Sequence, residues 1–287
     1  MTERTFTSVG FYALIAIYAA SRILQAYPQR FPMIAVVALH VLPPLLFAWL
    51  HGRLLWGSRG ILAFFAICSV VGSVVENFGV ATGFPFGRYF FTEVMGPKIF
   101  HVPILLGLAY LGMGYLSWIV ASLILGWERS SLHGWRLFAL PAFAALVMTS
   151  WDLCMDPVWS TLVRAWVWKD GGAYFGVPFS NFVGWYANVF IIYLLFAIFL
   201  RSRVSLTERM PPSFWQPALC FYAASAVGNF LLLFTHPTAA LVADPSGKLW
   251  DFRSITQTCA LTTVFTMGTF LLLAWIRVAD RHPDGSS

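Results

Sequence analysis

The chain has 287 residues, of which 59% are hydrophobic and only 10% charged, with a mean hydropathy of +0.73 and a formal net charge of +6. A soluble domain carries about 25% charged residues, so this composition excludes an ordinary soluble globule and requires apolar surface to face lipid. The basic residues lie singly in short connections rather than along a stripe, which is the pattern of membrane-surface anchors and excludes a nucleic-acid partner.

A helix needs roughly 20 apolar residues to cross a bilayer. Eight runs predict eight spans, at 9–27, 32–50, 60–78, 102–126, 135–155, 182–200, 215–234 and 255–277. The expected fold is all-α: a polytopic transmembrane helical bundle forming one integral membrane domain over 1–287. No cleavable signal is evident, and the first run reads as a retained span. The second run contains Pro43 and Pro44, which predict a kink that neighbouring helices can tolerate. Cys68, Cys154, Cys220 and Cys259 fall inside apolar runs without CxxC spacing and read as packing residues. The histidines show no HxxxH spacing, so no metal site is expected.

The connections near 51–59, 127–134 and 201–214 are short and basic. Those near 79–101, 156–181 and 235–254 are long and rich in Gly, Pro and aromatics, and with eight spans they share one side of the membrane. Long loops of this kind carry function. The basic short loops favour an inner cell membrane with both termini cytoplasmic. Two helix starts are alike, by a helix–loop–helix duplication or by chance. Gly96-Pro97-Lys98-Ile99-Phe100-His101-Val102-Pro103 matches Gly171-Gly172-Ala173-Tyr174-Phe175-Gly176-Val177-Pro178 at an offset of 75 residues. A duplication would set the preceding acidic helix ends across a shared cavity.

Glu76 ends the third run, where an ionisable group is costly and rarely faces lipid. Burial disfavours a charged carboxyl, and a carboxyl kept protonated at neutral pH is a general acid. The bland alternative is a contact with water, Arg88 or Lys98. Asp152 and Asp156 stand one helical turn apart, so both carboxyls share a face. The alternative for Asp156 is helix termination before Pro157. Asn77 and Asn181 are candidates to orient a water or a carboxyl, or in the case of Asn181 to cap the sixth helix. Phe86, Tyr89, Trp151, Tyr174, Phe175 and Trp185 are the candidate substrate-gripping rings, because π-faces stabilise developing cations.

The run from Glu76-Asn77-Phe78-Gly79 to Gly83-Phe84-Pro85-Phe86-Gly87-Arg88-Tyr89 resembles the membrane-bound carotenoid 1,2-hydratase family. So do Trp151-Asp152, Asp156-Pro157, Gly172 to Pro178 and Asn181-Phe182-Val183-Gly184-Trp185. The similarity spans roughly 70–190. It implies cofactor-free addition of water to the terminal C1–C2 double bond of an acyclic carotenoid, giving a tertiary alcohol. From the chemistry of that reaction, Asp152 or Glu76 is expected to donate the proton, and Asp156 to orient or deprotonate the water, supported by Asn77 and Asn181. The expected partners are a lipid-soluble carotenoid, water and the bilayer, with association with other carotenoid-pathway enzymes left open. Three rival readings remain. A membrane prenyltransferase would use Asp152-x-x-x-Asp156 to hold magnesium and diphosphate, and a carotenoid cyclase would share the carbocation. A small transporter or carotenoid-binding protein would use embedded acids as a proton relay.

Overall fold

A computed structural model describes residues 3–27, 30–127, 132–201, 210–235 and 239–280, with side chains from Val9 onward. Helix α1 covers Glu3–Gln25. The helical stretch Met33–Thr82 then runs for 50 residues, broken by Gly57 at φ 70° and ψ 171°. A straight helix would set Trp49 and Phe65 about 24 Å apart along its axis. Their ring centroids lie 6.1 Å apart, so the stretch is a hairpin of α2 (33–56) and α3 (58–82). Gly57 adopts a conformation that is essentially glycine-only. The second and third apolar runs are therefore two antiparallel legs joined by a single residue.

Helix α4 (Ile104–Leu125) is the most buried of these spans and packs on α2 at Pro43 and Pro44, which lie within unbroken helix. A Cβ on Gly112 would stand 2.9 Å from the Leu45 nitrogen and from the Pro44 backbone. The bare glycine thus lets α4 press against the proline pair.

Helix α5 comprises Arg136–Asp156 and continues through a π-helical turn, Pro157–Leu162. Termination at Asp156 is therefore not what happens. Pro157 has no N–H to give to the carbonyl of Leu153. That carbonyl accepts the Tyr174 hydroxyl instead, at 3.2 Å, and the widened turn lets the helix pass its proline. Helices α6 (Phe179–Arg201), α7 (Pro212–Phe234) and α8 (Phe252–Ala279) complete the bundle. Six of the described helical stretches, the α2–α3 hairpin counted as one, are long and apolar enough to cross a membrane, while the apolar part of α1, Val9–Gln25, is shorter. The basic loops around 128–131 and 202–209 lie outside the described residues.

The three long connections meet at one end of the bundle. The first carries β1 (Tyr89–Phe91), β2 (Lys98–Ile99) and β3 (Val102–Pro103), the second β4 (Trp166–Trp168), and the third β5 (Leu241–Ala243) and β6 (Leu249–Asp251). Strands β1 and β4 pair antiparallel, with Tyr89 opposite Trp168 and Phe91 opposite Trp166. Strand side chains alternate, so these four rings all point inward and are buried. Arg164 Nη2 donates to the Ala243 carbonyl at 3.1 Å, tying the third connection to the second.

The repeat is visible in the backbone. Ile99 pairs with Val102 and Tyr174 with Val177, both antiparallel. Phe100 and Phe175 between them both adopt positive φ, 55° and 52°. Each turn delivers a proline to the start of its helix, Pro103 before α4 and Pro178 before α6.

Candidate active site

Glu76 on α3, Asp152 and Asp156 on α5 and Asn181 on α6 are 1–3% exposed and border one cavity beneath the β1–β4 cap. The cavity is narrow, about 30 Å³, enough for one or two waters. The acids face neither bulk water nor lipid.

Each carboxyl has named donors. Glu76 Oε2 accepts the Tyr89 hydroxyl at 2.6 Å and Oε1 accepts the Tyr110 hydroxyl at 2.5 Å. Tyr110 is in turn contacted by Asn188 Nδ2 at 3.4 Å. Burial, together with the neighbouring Glu76 carboxyl, holds the Tyr89 phenol far above its ordinary range, so it remains a donor. Asp156 Oδ1 accepts Trp166 Nε1 at 2.8 Å, and its Oδ2 accepts Asn181 Nδ2 at 2.6 Å. The same Asn181 nitrogen reaches Asp152 Oδ2 at 3.2 Å. One amide thus bridges the two aspartates and fixes their mutual orientation, while Asp152 has the loosest hold of the three acids.

Small residues create the approach. A Cβ on Gly79, one turn beyond Glu76, would stand 2.5 Å from the Phe86 ring and 3.3 Å from the Tyr89 hydroxyl. A Cβ on Gly184 of α6 would meet the other edge of Phe86 at 2.8 Å. The Phe86 ring is therefore clamped between two bare helix faces, and this seats Tyr89 against Glu76.

Phe86, Tyr89, Trp151 and Trp185 line the cavity. Tyr174 and Phe175 do not. Tyr174 holds the Leu153 carbonyl, and Phe175 packs on Trp250 of β6 with ring centroids 5.3 Å apart. Asn77 also faces elsewhere: its Nδ2 donates to the Ser73 carbonyl at 2.8 Å and its Oδ1 accepts the His101 N–H at 3.0 Å. Neighbouring residues on a helix point about 100° apart, so Asn77 cannot share the cavity with Glu76 and instead anchors the β2–β3 turn. Arg88 pairs with Asp170 across the cap and Lys98 with Glu93, at 2.9 Å for the latter, so neither basic residue neutralises Glu76. The Arg88 guanidinium holds the Asp170 carboxyl below the usual range.

Sequence reasoning missed Tyr110 and Asn188, which sit inside apolar spans like ordinary packing residues. No group of three or more His, Cys, Asp or Glu suited to a metal ion occurs among the described residues. His236 and His282 lie outside them.

A curated relative, the bisanhydrobacterioruberin hydratase of Haloarcula japonica, is 28% identical over 137 residues, covering 47% of this chain and 44% of that protein. The alignment thus spans less than half the length of the relative. No solved structure matches. The family described as carotenoid biosynthesis protein matches residues 31–244, well over half of the chain and beyond the 70–190 core on both sides. The chain belongs to the carotenoid biosynthesis protein family.

Proposed function

We propose that the protein hydrates the terminal C1–C2 double bond of an acyclic carotenoid end group. The observation that carries this reading is the pair Asp152 and Asp156, bridged by Asn181 in a buried cavity walled by aromatic rings. An alkene is a very weak base, so it needs a positioned acid and a surrounding that tolerates a cation.

Asp152, the least restrained of the acids, gives its proton to the CH carbon. The π electrons form the new C–H bond and leave a tertiary cation on the dimethyl carbon. Glu76 and the faces of Trp151, Trp185 and Phe86 stabilise that charge. A water oxygen attacks the cation and loses a proton to Asp156, whose other hydrogen bonds hold it in place. The proton then returns from Asp156 to Asp152 through a cavity water. The sum is addition of one water with no change of redox state.

The two reactants have separate approaches. A mainly apolar void of about 60 Å³ shares Trp151, Met155 and Trp166 with the acid cavity. On the loop side a second space, bordered by Ser160, Thr161, Arg164 and Asp244, shares Trp168 with it. The isoprenoid chain occupies the first, and water reaches the acids past Trp168.

The test is expression in a host that makes an acyclic carotenoid, followed by mass analysis of the pigment. A gain of one water per reacted end, lost in Asp152→Asn, is expected. Unchanged mass with altered retention would mark cyclisation. Unchanged pigment across acyclic substrates of several lengths, with the protein folded in the membrane, would defeat the reading.

A further inference from the structure

Arg22 lies on α1, buried at 5% exposure in the middle of the bundle. Its Nη2 donates to Asn229 Oδ1 of α7 at 2.7 Å. Asn229 Nδ2 donates in turn to Thr263 Oγ1 at 2.9 Å. Its Nε is buried without a hydrogen-bond partner. Among the described residues no carboxylate comes within ion-pair distance of it. The seat is nevertheless shaped for it: a Cβ on Gly228 would stand 1.9 Å from Nε and 2.7 Å from Cζ, so the guanidinium lies against bare backbone. A buried cation without a counter-charge is expensive, and an ionisable group held at this depth marks a site.

Arg22 borders the apolar void that joins the acid cavity, with Tyr18 and His40 beside it and Trp151 and Trp166 at the shared wall. His40 is committed elsewhere, its Nδ1 being 2.8 Å from the Val36 carbonyl and its Nε2 3.2 Å from Gln25 Oε1. The void is thus greasy along its length, with one charged donor on its wall.

We infer that Arg22 is a specificity-determining residue that binds an uncharged oxygen acceptor, a hydroxyl or carbonyl, on the isoprenoid whose alkene reaches the acids. A diphosphate does not fit this wall, because a multiply charged anion would meet a single cation among apolar side chains. A purely hydrocarbon chain would leave the guanidinium with Asn229 as its one side-chain acceptor among the described residues, and its desolvation only partly compensated. The inference deepens the hydratase reading in naming the substrate, but the binding it describes does not depend on turnover.

The test is therefore a binding measurement on the full-length protein in detergent, reading the thermal shift as ligand is titrated. The probes are geranylacetone, the hydrocarbon of the same skeleton lacking its oxygen, and inorganic diphosphate. Wild type is expected to bind the ketone at least about tenfold more tightly than the hydrocarbon, the scale of one charged hydrogen bond. In Arg22→Met that ratio falls to about one through loss of ketone affinity, with hydrocarbon affinity retained. Gly228→Ala, which displaces the guanidinium without removing it, should also lower the ratio. Equal binding of ketone and hydrocarbon by wild type overturns the inference even if neither variant folds. So does an unchanged ratio in a folded Arg22→Met, or diphosphate outcompeting the ketone. A preserved ratio of affinities in a protein that hydrates nothing would defeat the proposed reaction and leave this site standing.

Discussion

Tyr110 and Trp185 stack nearly face to face, with ring centroids 4.7 Å apart and planes inclined by 18°. They stand 75 residues apart, the same offset that relates the two positive-φ turns at Phe100 and Phe175. Each reaches back to the helix that precedes it in its own half. The Tyr110 hydroxyl holds Glu76, and Trp185 leans on Trp151, the position equivalent to Glu76, with centroids 6.5 Å apart. The two helix–loop–helix halves therefore meet at this stack, and the acids of both open into the space beside it.

That relationship separates the two jobs of Tyr110. Tyr110→Phe keeps the ring against Trp185 and removes only the hydroxyl from Glu76 Oε1. Leaving a buried charged acceptor short of a partner costs about 1.5–3 kcal/mol. Hydration should fall about 10- to 100-fold, with a loss of stability of the same order. Trp185→Leu should lower both. Pigment conversion normalised to protein recovered from the membrane checks this, and equal activity of Tyr110→Phe and wild type would remove the Tyr110 hydroxyl from the reaction.

The clamp on Phe86 predicts a stability effect at positions that bear no chemistry. Gly79→Ala and Gly184→Ala each drive a methyl into the ring, at 2.5 and 2.8 Å. Overpacking of this kind costs about 1–3 kcal/mol. Gly10, which has open space around it, should accept alanine without loss. Adding Phe86→Leu to Gly79→Ala should restore part of the thermal stability, because the ring is what the methyl strikes. Failure of that rescue would place the strain elsewhere.

The parts of the site that were legible in the sequence are those where an isolated charge interrupts a long apolar run. Glu76, Asp152 and Asp156 stand out because the membrane makes such residues costly, and helical spacing alone puts the two aspartates on one face. Tyr110 and Asn188 gave no such signal, since a tyrosine or asparagine in a span has many cheaper explanations. The β1–β4 cap was hidden for another reason: three-residue strands carry too little alternation to register as a pattern. Asn77 misled because adjacency in sequence is not adjacency in space on a helix. Phe175 did so because its positive φ turns it toward Trp250 rather than inward. The eight runs were readable from hydropathy, but the single-residue reversal at Gly57 depends on a backbone conformation that hydropathy does not encode.

Substitutions at the aspartates should separate their roles. Asp152→Asn removes the transferable proton and should lower hydration by about two to four orders of magnitude, the range of general acid–base catalysis. Asp156→Asn should do likewise. Because its one amide oxygen can still accept from Trp166, and Asn181 can turn its own oxygen toward the new NH2, the protein should remain folded. Asn181→Leu leaves both aspartates without their shared donor and should cost about 1–3 kcal/mol in stability as well as activity. Thermal unfolding in detergent and pigment analysis in the same preparations distinguish these cases. If Asn181→Leu were fully active, the amide bridge would have no part in the chemistry.

The loop between α7 and α8 should carry a pH dependence of its own through Asp244. Its carboxylate oxygens accept the Ser246 hydroxyl at 2.6 Å, the Ser246 N–H at 2.9 Å, the Lys248 N–H at 3.1 Å and Trp250 Nε1 at 2.8 Å. Partial burial opposes ionisation, but these donors outweigh it and hold the carboxyl below its ordinary value. A carboxyl lowered in the folded state stabilises at pH above the unfolded value, about 3.9. That contribution is lost as pH falls through the lower folded value. The β5–β6 hairpin should therefore resist cleavage near Leu241 and Leu249 at pH 4–5 and yield to pepsin as the pH drops toward 2. In Asp244→Asn the amide cannot accept all four donors, so cleavage should be faster at the upper pH and the ratio to wild type should shrink on acidification. A ratio constant across that range would mean that Asp244 does not organise the loop.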